Sequence, residues 1–321
     1  MKQQGMALLI ILLVLGLMAG LAAEMTTRLQ GTRRLTGWEE EALQKQWDYR
    51  LAEAQALSIL KQDLKNNAKL TSRDQRWARP HTLHLQDGAT LSWQLQSAQH
   101  CFNLNALAHA PLDPLADPPY NVQVFQALLE QQGVSSGNAA SLVAAIADYI
   151  DDDNTRRREG AEDDSYADKP LRYVANQPFF AISELRAIKG MTPRLYQKLA
   201  PYLCVLGGAP TLQISINALS ADDAPLVAAL LLNEQDVDSV RRLLEQAPKG
   251  GWTSAQQLIN AATNAWPAQK EALSKLGEGL TTTSDFFTLT LRLQRDRRLL
   301  VQRSSIYYQR KEQQLRIYAR R

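Results

Sequence analysis

From Met6 to Ala23 the chain runs through 18 residues without a charge, nearly all of them apolar, which is long enough for a helix to cross a bilayer. Only Met1 to Gly5 precede this run, with Lys2 as their charged side chain, and Glu24 is the first acidic residue beyond it. The run is too long for a comfortable secretory h-region and Leu21-Ala22-Ala23 is a weak signal-peptidase site, so a retained anchor is expected. Lysine on one side and carboxylate on the other point the short end toward the cytoplasm and the bulk toward the periplasm. Helical propensity continues past the run. Leu43, Trp47, Leu51, Ala54, Leu57 and Leu64 form one broad apolar stripe, with Glu41, Lys45, Asp48 and Asp63 on the wet side. One helix over 6–64 is the economical reading, Gly31 and Gly37 being its weak points.

Period-two patterns follow. TLHLQ and ATLSWQLQ flank Asp87-Gly88 and predict a hairpin with a primed turn. At the far end DFFTLTLRLQ, LLVQRSSIYYQR and QQLRIYAR predict further strands, Phe287, Leu289, Leu291 and Leu293 alternating with Thr288, Thr290 and Arg292. A sheet drawn from residues 80–104 and 285–320 must contain an insertion. The intervening chain, about 110–275, carries eight helical stretches from VQVFQALLEQQ to AQKEALSKL, with turns at Gly133, Gly190, Pro193, Pro248 and Gly250-Gly251 and an entrance marked by Pro111, Pro114, Pro118 and Pro119. With no fixed period these predict a compact all-helical subdomain, not a solenoid.

With 321 residues there is room for one large or two ordinary domains beyond the anchor, and a net charge of +3 gives no strong field for nucleic acid. Cys101 and Cys204 are too far apart for a local redox or zinc motif. In an oxidising compartment they form either one bridge closing a loop of about 100 residues or two buried free thiols. His81, His84, His100 and His109 are scattered, and no G-x-S-x-G, H-E-x-x-H or Walker motif is present; enzyme activity is not expected.

Two constellations stand out. In ADYIDDDNTRRREGAEDDSYADKP, Asp148 is followed by Asp151, Asp152, Asp153 and Asn154, then by Glu162, Asp163, Asp164 and Asp168. Hard oxygens gathered from a loop are what calcium requires, yet the spacing is not that of an EF-hand. Composition leaves open calcium or a solvated acidic loop balanced by Arg156, Arg157 and Arg158. The second, SELRAIKGMTPRLYQKLAPYL, resembles a helix-hairpin-helix, with TLQISINALSADDAPLVAAL and TSAQQLINA as a looser second copy. Such hairpins often hold DNA phosphates, but an anchored chain of balanced charge favours a packing role, with Leu185, Ile188, Leu195 and Leu199 inside.

Gly5-Met6 at the head of the apolar helix resembles the leader-peptidase junction of type IV prepilins. The resemblance implies cleavage after Gly5 and methylation of Met6. Most of that class carry glutamate at the fifth mature position, where this chain has Ile10; its lack is characteristic of the minor pseudopilin K family of type II secretion systems. ADYIDDD, GAEDDSY and PFFAISELRAIKGMTPRLYQKLAPYL are similar to that family's signature. The implied fold is α+β: a pilin-like long N-terminal helix packed on an antiparallel sheet, with a large all-α (SAM-like or helix-hairpin-helix-like) domain inserted between strands. The boundaries are 1–5 leader, 6–64 helix, 65–109 first part of the pilin-like domain, 110–275 insert and 276–321 second part. The resemblance implies one or two structural calcium ions, with ligation carried most readily to Asp151, Asp153, Glu162 and Asp163 and next to Asp148 and Asp164. It also implies a single-pass inner-membrane subunit at the pseudopilus tip. Partners would be minor pseudopilins of the I and J types, the major pseudopilin fibre, the prepilin peptidase and the assembly platform, with contacts to secreted substrates or the secretin, and no nucleic acid. The competing reading is a membrane-tethered periplasmic calcium-dependent binding protein or hydrolase.

Overall fold

In the computed structural model, residues 2–111, 117–166, 173–207 and 210–321 are described; Pro114 and Asp168 lie outside them. Helix α1 (Lys2–Asn66) contains the whole apolar run and continues through Gly31 and Gly37. Each glycine costs a helix about 1 kcal/mol, too little to break a ladder of this length. The window Ile11–Arg28 has mean hydropathy 1.5 and is long and apolar enough to cross a membrane.

The chain divides into two compact units, Met1–Ala54 and Gln55–Arg321. In the first, Leu43, Trp47 and Leu51 are exposed, so the predicted inward stripe is corrected. In the second, α1 instead turns Ala56, Leu60 and Leu64 inward, one face at a spacing of four. Asp63, predicted wet, is buried; its Oδ2 accepts the backbone N–H of Trp77 at 2.8 Å. Apolar periodicity identified the helix and placed Leu64 inside, but missed the rest of its covered face, because alanine and a hydrogen-bonded aspartate carry little hydrophobic signal.

Beyond α1 come β1 (His81–His84), β2 (Thr90–Ser97) and the short β3 (Phe102–Asn103). Then follow α2 (Tyr120–Gln131), α3 (Ser136–Ile150), α4 (Pro193–Leu199), β4 (Leu203–Cys204) and β5 (Ile214–Ser215). The chain continues with α5 (Ala224–Leu230), α6 (Val237–Glu245), α7 (Ala255–Ala265), α8 (Lys270–Gly279), β6 (Leu280–Thr281), β7 (Phe286–Arg295), β8 (Arg298–Gln309) and β9 (Gln314–Arg320). The principal sheet has the order β1-β2-β7-β8-β9, every neighbour antiparallel. Leu91, Trp93 and Leu95 of β2 stand opposite Leu293, Leu291 and Leu289 of β7, and all six are buried. The alternation seen in the sequence is thus the inner face of a sheet whose central strands are almost two hundred residues apart. Within the β1–β2 hairpin, Gly88 has φ +81° while Asp87 is not in the left-handed region. The Gly88 N–H reaches Leu85 O at 3.1 Å and the Leu85 N–H reaches Ala89 O at 2.9 Å. This is a type I turn closed by a left-handed glycine, not the primed turn expected.

Between β2 and β7 the helical insert repeats one plan twice. Asn103-Leu104-Asn105-Ala106-Leu107 opens the first half and Ser215-Ile216-Asn217-Ala218-Leu219 the second. Asn105 accepts the Phe179 N–H at 2.8 Å and donates to Phe179 O at 3.2 Å. Asn217 likewise accepts the Trp252 N–H at 2.7 Å and donates to Trp252 O at 3.0 Å. Each half is closed by a parallel two-residue pairing, β3 with β4 and β5 with β6. One hydrophobic core, including Phe102, Phe125, Ile146 and Leu230, runs through both halves. The predicted helix over 183–190 is a 3-10 turn, Ile182–Ala187.

Candidate functional site

The segment that follows α3 in the first half, described over residues 151–166 and 173–178, carries the acidic cluster; its counterpart between α6 and α7 is residues 246–254. Asp148, on the last turn of α3, is fully buried. Its Oδ1 accepts from the guanidinium of Arg157 at 2.8 Å and its Oδ2 from the Ala161 N–H at 2.8 Å. Arg157, itself buried, also donates to Asp151 Oδ2 and, through Nη2, to the carbonyl of Ala110 at 2.8 Å. One side chain thus ties the loop to α3 and to the entrance of the insert. Gly160 permits this, since a Cβ there would lie 1.9 Å from Asp148 Oδ2.

Glu162 is buried, and neither of its carboxylate oxygens has a partner; Asp151 Oδ1 is likewise buried and unpartnered. Burial, followed by the charges of Asp148, Asp151, Asp163 and Asp153, pushes the Glu162 carboxyl up to about 7. Burial also raises Asp151, against the opposing pull of Arg157. Asp153 is exposed; the Thr155 N–H bonds its Oδ1 at 2.6 Å and holds its carboxyl below the ordinary value. Asp163 Oδ1 accepts the Val174 N–H at 2.7 Å. Asp164 faces solvent, paired with Arg156 at 2.9 Å.

Asp148 and Asp151 are therefore brought together through Arg157, with the Glu162 carboxylate close enough for their charges, and for those of Asp163 and the exposed Asp153, to act on it, whereas Asp164 faces solvent. Among the described residues no three His, Cys, Asp or Glu side chains surround a common point. Sequence reasoning did not foresee that one arginine of three is buried. The signal available was Asp148, a carboxylate on the apolar face of α3, which required an internal partner. Gly5 and Met6 lie within α1. Cys101 and Cys204 are joined, with Cα atoms 5.7 Å apart, beside the β3–β4 pairing.

A long helix with a membrane-grade apolar run, an antiparallel sheet split by a helical insertion, and a braced acidic loop define a pilin-like subunit with an enlarged head. Residues 100–208 match the family model for type II secretion system (T2SS) protein K. The chain is 43% identical over 322 residues to a provisionally named type II secretion system protein K of Escherichia coli (strain K12), covering 99% of this chain and 98% of that one. Type II secretion system protein K of Aeromonas hydrophila is 35% identical, with 90% of this chain and 88% of the relative covered. Among solved structures, a chain of the crystal structure of the GspK-GspI-GspJ complex from the enterotoxigenic Escherichia coli type 2 secretion system superposes with a TM-score of 0.76. It is 31% identical, and the match covers 89% of this chain and 98% of that chain. The chain belongs to the type II secretion system protein K family.

Proposed function

We propose that this protein is a minor pseudopilin which joins I- and J-type minor pseudopilins at the tip of the type II secretion pseudopilus and initiates or caps the fibre. The observation that carries this reading is the similarity, along 89% of the chain, to a component of the GspK-GspI-GspJ complex. Its role is structural, not catalytic. The uncharged run of α1 anchors the subunit in the inner membrane with the head in the periplasm. Transfer of that helix from lipid into a helical bundle drives assembly, and without a glutamate at position 10 it brings no carboxylate into the hydrocarbon. The insert at 110–275 enlarges the head between the pilin-like parts 65–109 and 276–321, and stacking such heads along every turn of a fibre is sterically difficult. A position at an end accommodates them. The test is the mass of the amino-terminal peptide from membrane-extracted protein, with and without the prepilin peptidase. A methylated Met6 terminus appearing only with the peptidase supports the proposal; Met1 retained or cleavage after Ala23 in both strains overturns it.

We further propose a structural calcium ion at the acidic loop. Its support is the set of buried, unpartnered oxygens on Glu162 and Asp151, hard donors of the kind calcium takes. Glu162, Asp151, Asp153 and Asp163 would hold the ion; Asp148 stays engaged by Arg157, and Asp164 by Arg156. A bound ion would neutralise carboxylates that now repel one another and would lock the loop. D151A/E162A is expected to lower calcium affinity by titration calorimetry and to abolish any calcium-dependent rise in Tm. Unchanged calcium binding and Tm would remove these ligands.

A further inference from the structure

The hairpin around Gly190 is left without a function by assembly and by the acidic loop. It forms one wall of a groove of about 690 Å³ whose other wall is the start of α3. The turn sits close on that helix: Gly190 has φ +89°, and a Cβ there would lie 3.7 Å from Leu142 Cδ1. Three cations, Lys189, Arg194 and Lys198, line the groove together with the apolar Val134, Leu142 and Leu195. Lys198 donates to the Gln132 carbonyl at 3.2 Å. Lys189 and Arg194 are exposed, and among the described residues their side chains enter no ion pair. One carboxylate, Glu159, also lines the groove and accepts the Ser141 hydroxyl at 2.6 Å. The groove therefore carries a net positive charge over a partly apolar floor.

We infer that this groove binds an acidic peptide segment of another protein, with the segment's carboxylates on Lys189 and Arg194 and an apolar side chain on Leu142 and Leu195. Charge complementarity selects the anion. The apolar floor selects peptide over phosphate, because a bare phosphate or a nucleic-acid backbone gains nothing from Val134, Leu142 and Leu195. Ser135, at the N-cap of α3, makes no side-chain cap bond, which leaves first-turn N–H groups at the same groove as additional donors. The inference goes beyond the tip assignment and does not depend on it.

The test uses the full chain in mild detergent and fluorescence anisotropy with four probes: a labelled short peptide alternating Glu and Leu, its Gln-for-Glu counterpart, a short single-stranded oligonucleotide, and inorganic phosphate as competitor. Saturable binding of the acidic peptide is expected, weakening as salt rises and falling about tenfold in K189E/R194E at unchanged Tm. The milder K189Q/R194Q pair is expected to move in the same direction, which separates charge from misfolding. The inference is overturned if the acidic peptide does not bind saturably, if neither double variant weakens it, or if the Gln counterpart binds equally well. Tighter binding of the oligonucleotide, or displacement of the peptide by phosphate, overturns it in favour of a phosphate site.

Discussion

Replacing Arg157 by methionine tests whether this side chain, more than any metal, sets the baseline stability of the acidic loop. The substitution keeps much of the side-chain volume and removes the charge and all the donors. Asp148, with no exposed surface, would lose its 2.8 Å bond to the guanidinium, and the Ala110 carbonyl would lose its Nη2 donor. Removing one partner of a buried pair costs about 3–5 kcal/mol, because the remaining charge stays desolvated. At about 2–4 °C per kcal/mol for a head of this size, Tm should fall by roughly 6–20 °C. The assay is urea and thermal unfolding of the full chain in mild detergent, without calcium and then with it. D148A alone should cost a similar amount, and R157M/D148A less than the sum of the two, since residues in one network are non-additive. A loss below about 1 kcal/mol for R157M, or strict additivity of the two changes, would refute the reasoning. Calcium should restore part of the stability lost in R157M, because Asp151, one of the two carboxylates it leaves bare, is among those proposed to meet the ion.

Three further outcomes are expected. The Cys101–Cys204 bridge spans 103 positions, and for a loop near 100 residues the chain-entropy contribution is about 4.7 kcal/mol. C101A/C204A should lose up to that amount in urea unfolding, and thiol titration of denatured, unreduced wild type should find no free thiol. G160A should lose at least about 2 kcal/mol, since its Cβ would fall 1.9 Å from an Asp148 oxygen that Arg157 and Ala161 hold in place; a Tm equal to wild type contradicts this. Asp223 gives a pH dependence. Burial alone would raise its carboxyl, but bonds from His100 and from the side chain and backbone of Ser220 outweigh this and hold it below 3.8. A lowered folded-state value adds stability that is complete above the unfolded value and lost as pH falls through the folded one. The stability difference between wild type and D223N should therefore shrink as pH falls below about 4; a difference that grows over that range contradicts the sign.

What the sequence determined by itself was local and periodic. Eighteen uncharged residues made a membrane-grade helix, and Phe287, Leu289, Leu291 and Leu293 made the inner face of a strand, because burial of one face imposes a period that survives in any context. The helices of the insert were legible for the same reason, and the resemblance at Gly5-Met6 and Ile10 carried the family. Tertiary structure decided what depends on partners distant in the chain. It set which face of α1 is covered: Ala56 and Leu60 beside Leu64, the one buried member of the predicted stripe, while Leu43, Trp47 and Leu51 are exposed. It chose Arg157 from three consecutive arginines to go inside, a choice made by the position of Asp148 and the Ala110 carbonyl. It also joined Cys101 to Cys204 and made Asn105 and Asn217 equivalent clamps in two halves with little sequence in common. Hydrophobic period is a property of a segment, whereas the neutralisation of a buried charge is a property of the groups around it, and those groups come together only when the chain folds.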